Sequence, residues 1–339
     1  MARLNKRQLF QIIEHAVRES GWNFLHLSTS GEHPARYQVY SGDRSYRVRV
    51  YVWNLTHGGQ NRPEDEWRIQ VTGVEQFEPE IGGKTLVLGW WDETRVFAGF
   101  DVSRHSSEFG ASPSIQIREA ALHQAVLHGF APHNKGNGEL AIAFRPDFLA
   151  PYIENLESLH ACGEVDEEVE VLRQIGENPD EVADEDIGNE IARPRQYAVI
   201  STKRALREID FRDRVLTAYS HRCAICGVQL RLLDAAHILP AAHPDSSDGT
   251  SNGVALCALH HRAFDRAFVT FGSDYRIHIN DEMVEELKAA DRAGGLDVFE
   301  QALRPILALP PDRKDRPAPA FIDAANDLRG WSLKSGRGR

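Results

Sequence analysis

Arg222-Cys-Ala-Ile-Cys226, Leu233-Asp-Ala-Ala-His-Ile-Leu-Pro240 and Asn252-Gly-Val-Ala-Leu-Cys-Ala-Leu-His-His-Arg-Ala-Phe-Asp265 follow one another inside the stretch from Arg222 to Phe268. Cys223 and Cys226 are separated by a two-residue turn that lets both thiolates face one ion. Cys257 and His260 repeat the spacing about thirty residues later, with an imidazole in the last place. Four soft or borderline donors with no position left open predict a tetrahedral Zn2+ held for structure. A second set of ligands interleaves with the first. His261 directly follows the last zinc ligand, so on a helix it points elsewhere, and Asp265 lies one turn further on the same face. Asp234 and His237 sit on a predicted strand, three apart and therefore on opposite faces. A histidine beside a metal but not bound to it is suited to take a proton from water, while the ion steadies charge on a phosphate.

The rest of the chain frames this piece. Its 339 residues, 42% of them hydrophobic and 26% charged, allow two domains with proper cores. Four cysteines, three of them in the metal-like stretch, argue against a disulfide scaffold and for a reducing interior. With no apolar run long enough to span a membrane and no apolar signal core after Met1-Ala-Arg-Leu-Asn-Lys-Arg7, the expectation is a cytoplasmic protein without a membrane partner. The net charge of -11 is local in origin: between Glu164 and Glu190 there are 12 acidic residues and one base, Arg173. The remaining 38 acidic and 38 basic residues balance, so the overall charge does not argue against a DNA partner.

Along the chain, an apolar stripe predicts a helix over Asn5 to Ser20, ended by Gly21. Strand-like runs follow at Tyr37 to Tyr40, Tyr46 to Trp53, Trp67 to Val74, Lys84 to Trp90 and Arg95 to Val102, with a hairpin turn at Gly42-Asp43. A helix over Ile115 to Leu127, a strand over Glu139 to Phe144 and a helix after Pro146 complete an α+β domain on an antiparallel sheet, residues 1-160. Residues 161-196 read as an acidic, extended linker with a helical turn at Glu168 to Ile175. Residues 197-339 then hold the metal stretch, preceded by a basic amphipathic helix over Thr202 to Tyr219 and followed by a strand and short helices. In the first domain Arg62, Arg68, Arg104 and Lys135 are candidates for DNA contact, and Trp53, Trp90 and Trp91, if exposed, for stacking on bases. The same residues also suit an ordinary core with a solvated face.

His237, Asn252-Gly253 and His261, in this order and with zinc knuckles on either side, resemble the HNH endonuclease motif of the ββα-metal fold. Phe264-Asp265 resembles the variety found in bacterial restriction endonucleases. The resemblance covers roughly residues 203 to 270. It implies that His237 is the general base, that Asn252 braces the loop and the base's strand, and that His261 binds the catalytic ion, with Asp265 a further ligand one turn later. Many members place a metal-binding Asp or His immediately before the base, where this chain has Ala236, and Asp234 is the candidate replacement. The implied protein is a restriction-type DNA endonuclease acting on double-stranded DNA with one divalent ion, Mg2+ or Mn2+. Since one HNH unit cuts one strand, a homodimer is expected. Two other readings stay open: a ligand-activated nuclease effector of phage defence, and a zinc DNA-binding protein without catalysis.

Overall fold

The computed structural model describes residues 3–29, 31–57, 63–110 and 112–333, and among these no helix is long and apolar enough to cross a membrane. The chain divides into two compact units, Met1–Arg207 and Glu208–Arg339.

The first unit opens with α1 (Lys6–Glu19), whose cap Asn5 and third residue Gln8 satisfy each other's backbone N–H groups. Its stripe of Leu9, Phe10, Ile13, Ala16 and Val17 is buried, as the 3.6-residue period demands. The sheet strands are β1 (Asn23–His26), β2 (Ala35–Ser41), β3 (Arg44–His57), β4 (Glu66–Gln70), β5 (Lys84–Trp91), β6 (Val96–Phe100), β7 (Ser114–Arg118), β8 (Phe130–Asn134) and β9 (Leu140–Phe144). They are ordered β1-β2-β3-β5-β6-β9-β8, and β4 bridges from β3 to β7. The Gly42-Asp43 turn joins β2 to β3 with Ser41 opposite Arg44, and Gly42 takes the positive φ (+59°) that such a turn needs. All pairings are antiparallel except β3 with β5, which run parallel, so the sheet is mixed rather than purely antiparallel.

Two expectations are corrected here. The helix expected over Ile115 to Leu127 is a strand followed by a helix: β7 pairs with β4, and α2 (Glu119–His128) begins only after it. Ile115 and Ile117 are buried while Ser114, Gln116 and Arg118 between them are only half-buried, a two-residue period that the apolar run through α2 concealed. The acidic segment is not an extended spacer. After α3 (Leu149–Ala161) it forms α4 (Asp166–Glu177), α5 (Asp184–Glu190) and the start of α6 (Arg193–Ala218), so the first unit continues well past residue 160. Val171, Leu172, Ile175 and Ile187 are buried beneath the carboxylates. Buried Glu168 is paired bidentately with Arg195, at 2.6 and 2.7 Å, and accepts a backbone bond from Ala192. A helix can carry acid on its solvent side if the stripe under it is apolar. Trp53, Trp90 and Trp91 are all buried, so none offers a face to a base.

In the second unit, the end of α6 lies against the antiparallel pair β10 (Leu233–His237) and β11 (Gly253–Cys257), and β11 runs straight into α7 (Ala258–Asp265). Phe211, Val215 and Leu216 of α6, with Tyr219 just after it, join Val254, Leu256 and Phe264 in one core. Gly253 is required by this packing: a Cβ there would fall 2.3 Å from Val215 Cγ2 and 3.0 Å from Phe211 Cζ. Beyond α7 come β12 (Val269–Phe271), paired with β13 (Ile277–Ile279), then α8 (Asp281–Ala289), α9 (Leu296–Ala302) and α10 (Pro319–Leu328). The last helix, α10, is held by its buried Asn326, which accepts from Thr270 and donates to the Phe271 carbonyl.

Candidate active site and metal centre

The Cys223–Cys226 turn is shaped by its own backbone. Gly227, at φ +82°, donates to the Cys223 carbonyl, and the Cys223 amide donates to Val228. Cys257 ends β11 and His260 lies in the first turn of α7, so strand and helix deliver the other two donors. The four donor atoms lie within 4.8 Å of one another. His260 Nδ1 is 3.2 Å from Cys257 Sγ and 3.7 Å from Cys223 Sγ, and the sulfurs of Cys226 and Cys257 are 3.9 Å apart. Donors about 2.0–2.3 Å from a central ion at tetrahedral angles sit about 3.5–3.8 Å from each other, so the residues present fit Zn2+. Burial raises the thiol pKa of Cys226 and of Cys257; burial acts the same way on Cys223, but hydrogen bonds from His260 and the surrounding backbone outweigh it and bring that thiol down to about 6.

The second set is arranged around two histidines. His237, at the end of β10, stacks face to face on Phe211 with centroids 3.9 Å apart and planes 11° from parallel. Its Nε2 lies 3.0 Å from Asp248 Oδ1. A carboxylate only accepts, so it takes the proton on Nε2 and leaves the Nδ1 lone pair available. Asp248 had no assigned role from sequence. It lies in the loop between β10 and β11, eleven residues from His237, and no spacing rule connects the two. Arg214 of α6 pins that loop by donating to the Asp248 carbonyl and the Thr250 hydroxyl.

Asn252 is wholly buried. It accepts from the Leu239 amide and donates to the carbonyls of Leu239 and Ser247 and to the Ser246 hydroxyl. Asn252 is thus out of reach of any substrate, and its bonds close the loop that carries Asp248 and fix the chain just after His237. Ala236, the residue before His237, is buried in the core.

His261 points away from His260, as adjacent helical residues must. Its Nδ1 is 3.3 Å from Asp234 Oδ2 and its Nε2 is 3.5 Å from Asp265 Oδ2. Hydrogen bonding to Asp234 raises the His261 pKa, and the same bond lowers that of Asp234. The two carboxylates thus meet opposite nitrogens of one ring. An imidazole gives a metal one nitrogen at a time, so one carboxylate can share an ion with His261 while the other orients the ring. Among the described residues the one compact group of three or more such donors is the Cys3His set; Asp234, His261 and Asp265 form a row.

Of the four cations expected to touch DNA, two are already paired with carboxylates. Arg62 lies outside the described residues. Arg104 is engaged by Glu164 at 3.1 Å and by the Gly138 carbonyl, and Lys135 by Glu139 at 2.8 Å. Arg68, on β4, is half-buried with its Nε enclosed and unpartnered. A cation already matched to a carboxylate gives a phosphate less to bind, and these pairs were invisible to residue type alone.

The family model of the HNH endonuclease matches residues 223–272, from the first zinc cysteine to just past β12. Residues 223–272 form an HNH endonuclease domain. With it, the chain is a nuclease. Within the domain lie the four zinc donors, His237, Asp248, Asn252, His261 and Asp265, while Phe211 and Arg214 reach it from α6, outside the matched segment. A second model, described as methylase-associated X1, matches residues 46–153 in the first unit. No curated protein matches the chain. Among solved structures, a modification-dependent TagI restriction endonuclease is similar at 13% identity over 85% of this chain and 84% of its own, with a TM-score of 0.32, a likeness too slight to carry an argument.

Proposed function

We propose that the protein is a restriction-type DNA endonuclease in which His237 is the general base. The observation that carries this reading is the His237–Asp248 pair: a histidine fixed by a carboxylate on one nitrogen, stacked on Phe211, and open on the other nitrogen. His237 Nδ1 takes a proton from water as the water oxygen bonds to phosphorus and the ester oxygen leaves. His261, with Asp234 or Asp265, would hold a divalent ion that neutralises charge on the phosphate and the leaving oxygen. Carboxylate oxygens with a single imidazole suit Mg2+ or Mn2+. Zn2+ in the Cys3His set holds the domain together.

The match to a family described as methylase-associated, on the same chain as a nuclease domain, supports restriction, in which cutting is coupled to DNA methylation. The first unit chooses the site on double-stranded DNA, by sequence or by a modified base, and two copies cut the two strands. Incubation of plasmid with the protein and Mg2+ or Mn2+ gives cleavage, which His237→Ala abolishes while DNA binding persists. Cleavage by His237→Ala at the unaltered rate overturns the assignment. A comparison of methylated and unmethylated substrates reports what the first unit reads.

A further inference from the structure

Arg329 sits just after α10, far along the chain from the HNH segment, yet its guanidinium lies against it. Its Nη1 donates to the carbonyl of Ile238, the residue that follows the general base, at 2.9 Å. Its Cζ lies 4.4 Å from the centroid of the Phe264 ring, one residue before Asp265. A backbone carbonyl and an aromatic face therefore fix the fork between the strand of His237 and the helix of His261.

The side chain is half-buried, and among the described residues no carboxylate lies within ion-pair distance of it. Two other arginines of this unit do meet carboxylates: Arg214 is paired with Asp210, and Arg276 with Asp274. Burying a guanidinium without an anion is costly, and of its five N–H donors the Ile238 carbonyl uses one. Burial lowers the Arg329 pKa, and the charge of Asp265 acts against that without a contact, so a partner anion would relieve a cation already desolvated. A guanidinium held by its flat face and one edge presents its remaining N–H groups as a fork, the geometry that matches two phosphate oxygens.

We propose that Arg329 binds a phosphate of the DNA backbone at the cleavage site, so that the C-terminal extension adds a substrate-positioning charge to the HNH segment. This rests on the nuclease reading of the site. In place of a contact with bases it makes a sequence-independent one.

The test is the salt dependence of binding to a short DNA duplex without added divalent ion, for the full chain, Arg329→Gln and Arg329→Lys. Glutamine keeps a donor for the Ile238 carbonyl and removes the charge. The slope of log affinity against log salt is expected to become shallower by about 0.9 in Arg329→Gln, one phosphate's worth, with the loss equal for unrelated sequences. Arg329→Lys is expected to keep the unaltered slope. An Arg329→Gln slope equal to that of the parent overturns the inference, because a purely structural arginine changes folding and not the number of ions released. If the parent binds duplex but cuts none with Mg2+ or Mn2+, the nuclease reading falls; if it cuts and the slope is unmoved, only the Arg329 contact falls.

Discussion

Replacing Asp248 by alanine removes the acceptor from His237 Nε2 without touching the Asp248 carbonyl that Arg214 holds. The bond is 3.0 Å long and joins a carboxylate to a ring that becomes positive when it takes a proton. Hydrogen bonds to charged groups contribute about 1.5–3 kcal/mol. At about 1.4 kcal/mol per decade, the cleavage rate at saturating DNA falls about 10- to 150-fold. Removing the base itself, in His237→Ala, costs about 10²- to 10⁴-fold. If Asp248 works only through His237, the double variant is no slower than His237→Ala alone. The assay is single-turnover cleavage of a supercoiled plasmid by the four proteins, with DNA affinity measured in parallel. A further 10- to 150-fold loss on adding Asp248→Ala to His237→Ala would refute the reasoning, since Asp248 would then act independently, for instance on the ion.

Three other outcomes are expected. Zinc analysis should find one tightly held ion per chain, and Cys226→Ser or strong chelation should abolish cooperative melting of the second unit, because such sites contribute on the order of 10 kcal/mol; a chain that melts normally without zinc contradicts this. Gly253→Ala should destabilise that unit by about 1–3 kcal/mol and slow cleavage, since the added methyl must displace Val215 and the Phe211 ring beneath His237, as thermal melting and rate together would show. In the first unit, burial works to raise the pKa of Glu139, but hydrogen bonds from His105 and Lys135 outweigh it and hold the carboxyl down at about 2. A carboxylate lower in the folded than in the unfolded chain contributes stability above the unfolded value, and that contribution is lost as pH falls from about 4 toward 2. Glu139→Gln should therefore flatten the acid limb of the melting curve, and an unchanged limb would count against the pairing.

The parts of the site that a sequence can show are those set by short spacings. Two knuckles with two-residue gaps and an i, i+4 pair on one helix are local rules, and the structure brings Cys223, Cys226, Cys257 and His260 together and places Asp265 beside His261. Asp248, Phe211 and Arg329 approach the same residues through loop closure and helix packing, where no spacing rule applies. The opposed placement of Asp234 and Asp265 on the His261 ring was likewise hidden, because shared faces say nothing about which nitrogen each carboxylate meets. In the first unit the turn at Gly42 was legible from its local chemistry, whereas the parallel pairing of β3 with β5 depends on chain crossings. The acidic segment misled for a different reason: mean charge hid the sparse stripe of Val171, Leu172 and Ile175 that makes α4 a packed helix.

His260 and His261 are neighbours on α7, yet one turns into the Cys3His set and the other out toward Asp234. Their separation is an angle, about 100° of helical rotation. Holding the first donor set therefore fixes the azimuth of the second. On the reading proposed above, the closed site is thus what aims His261 at its ion.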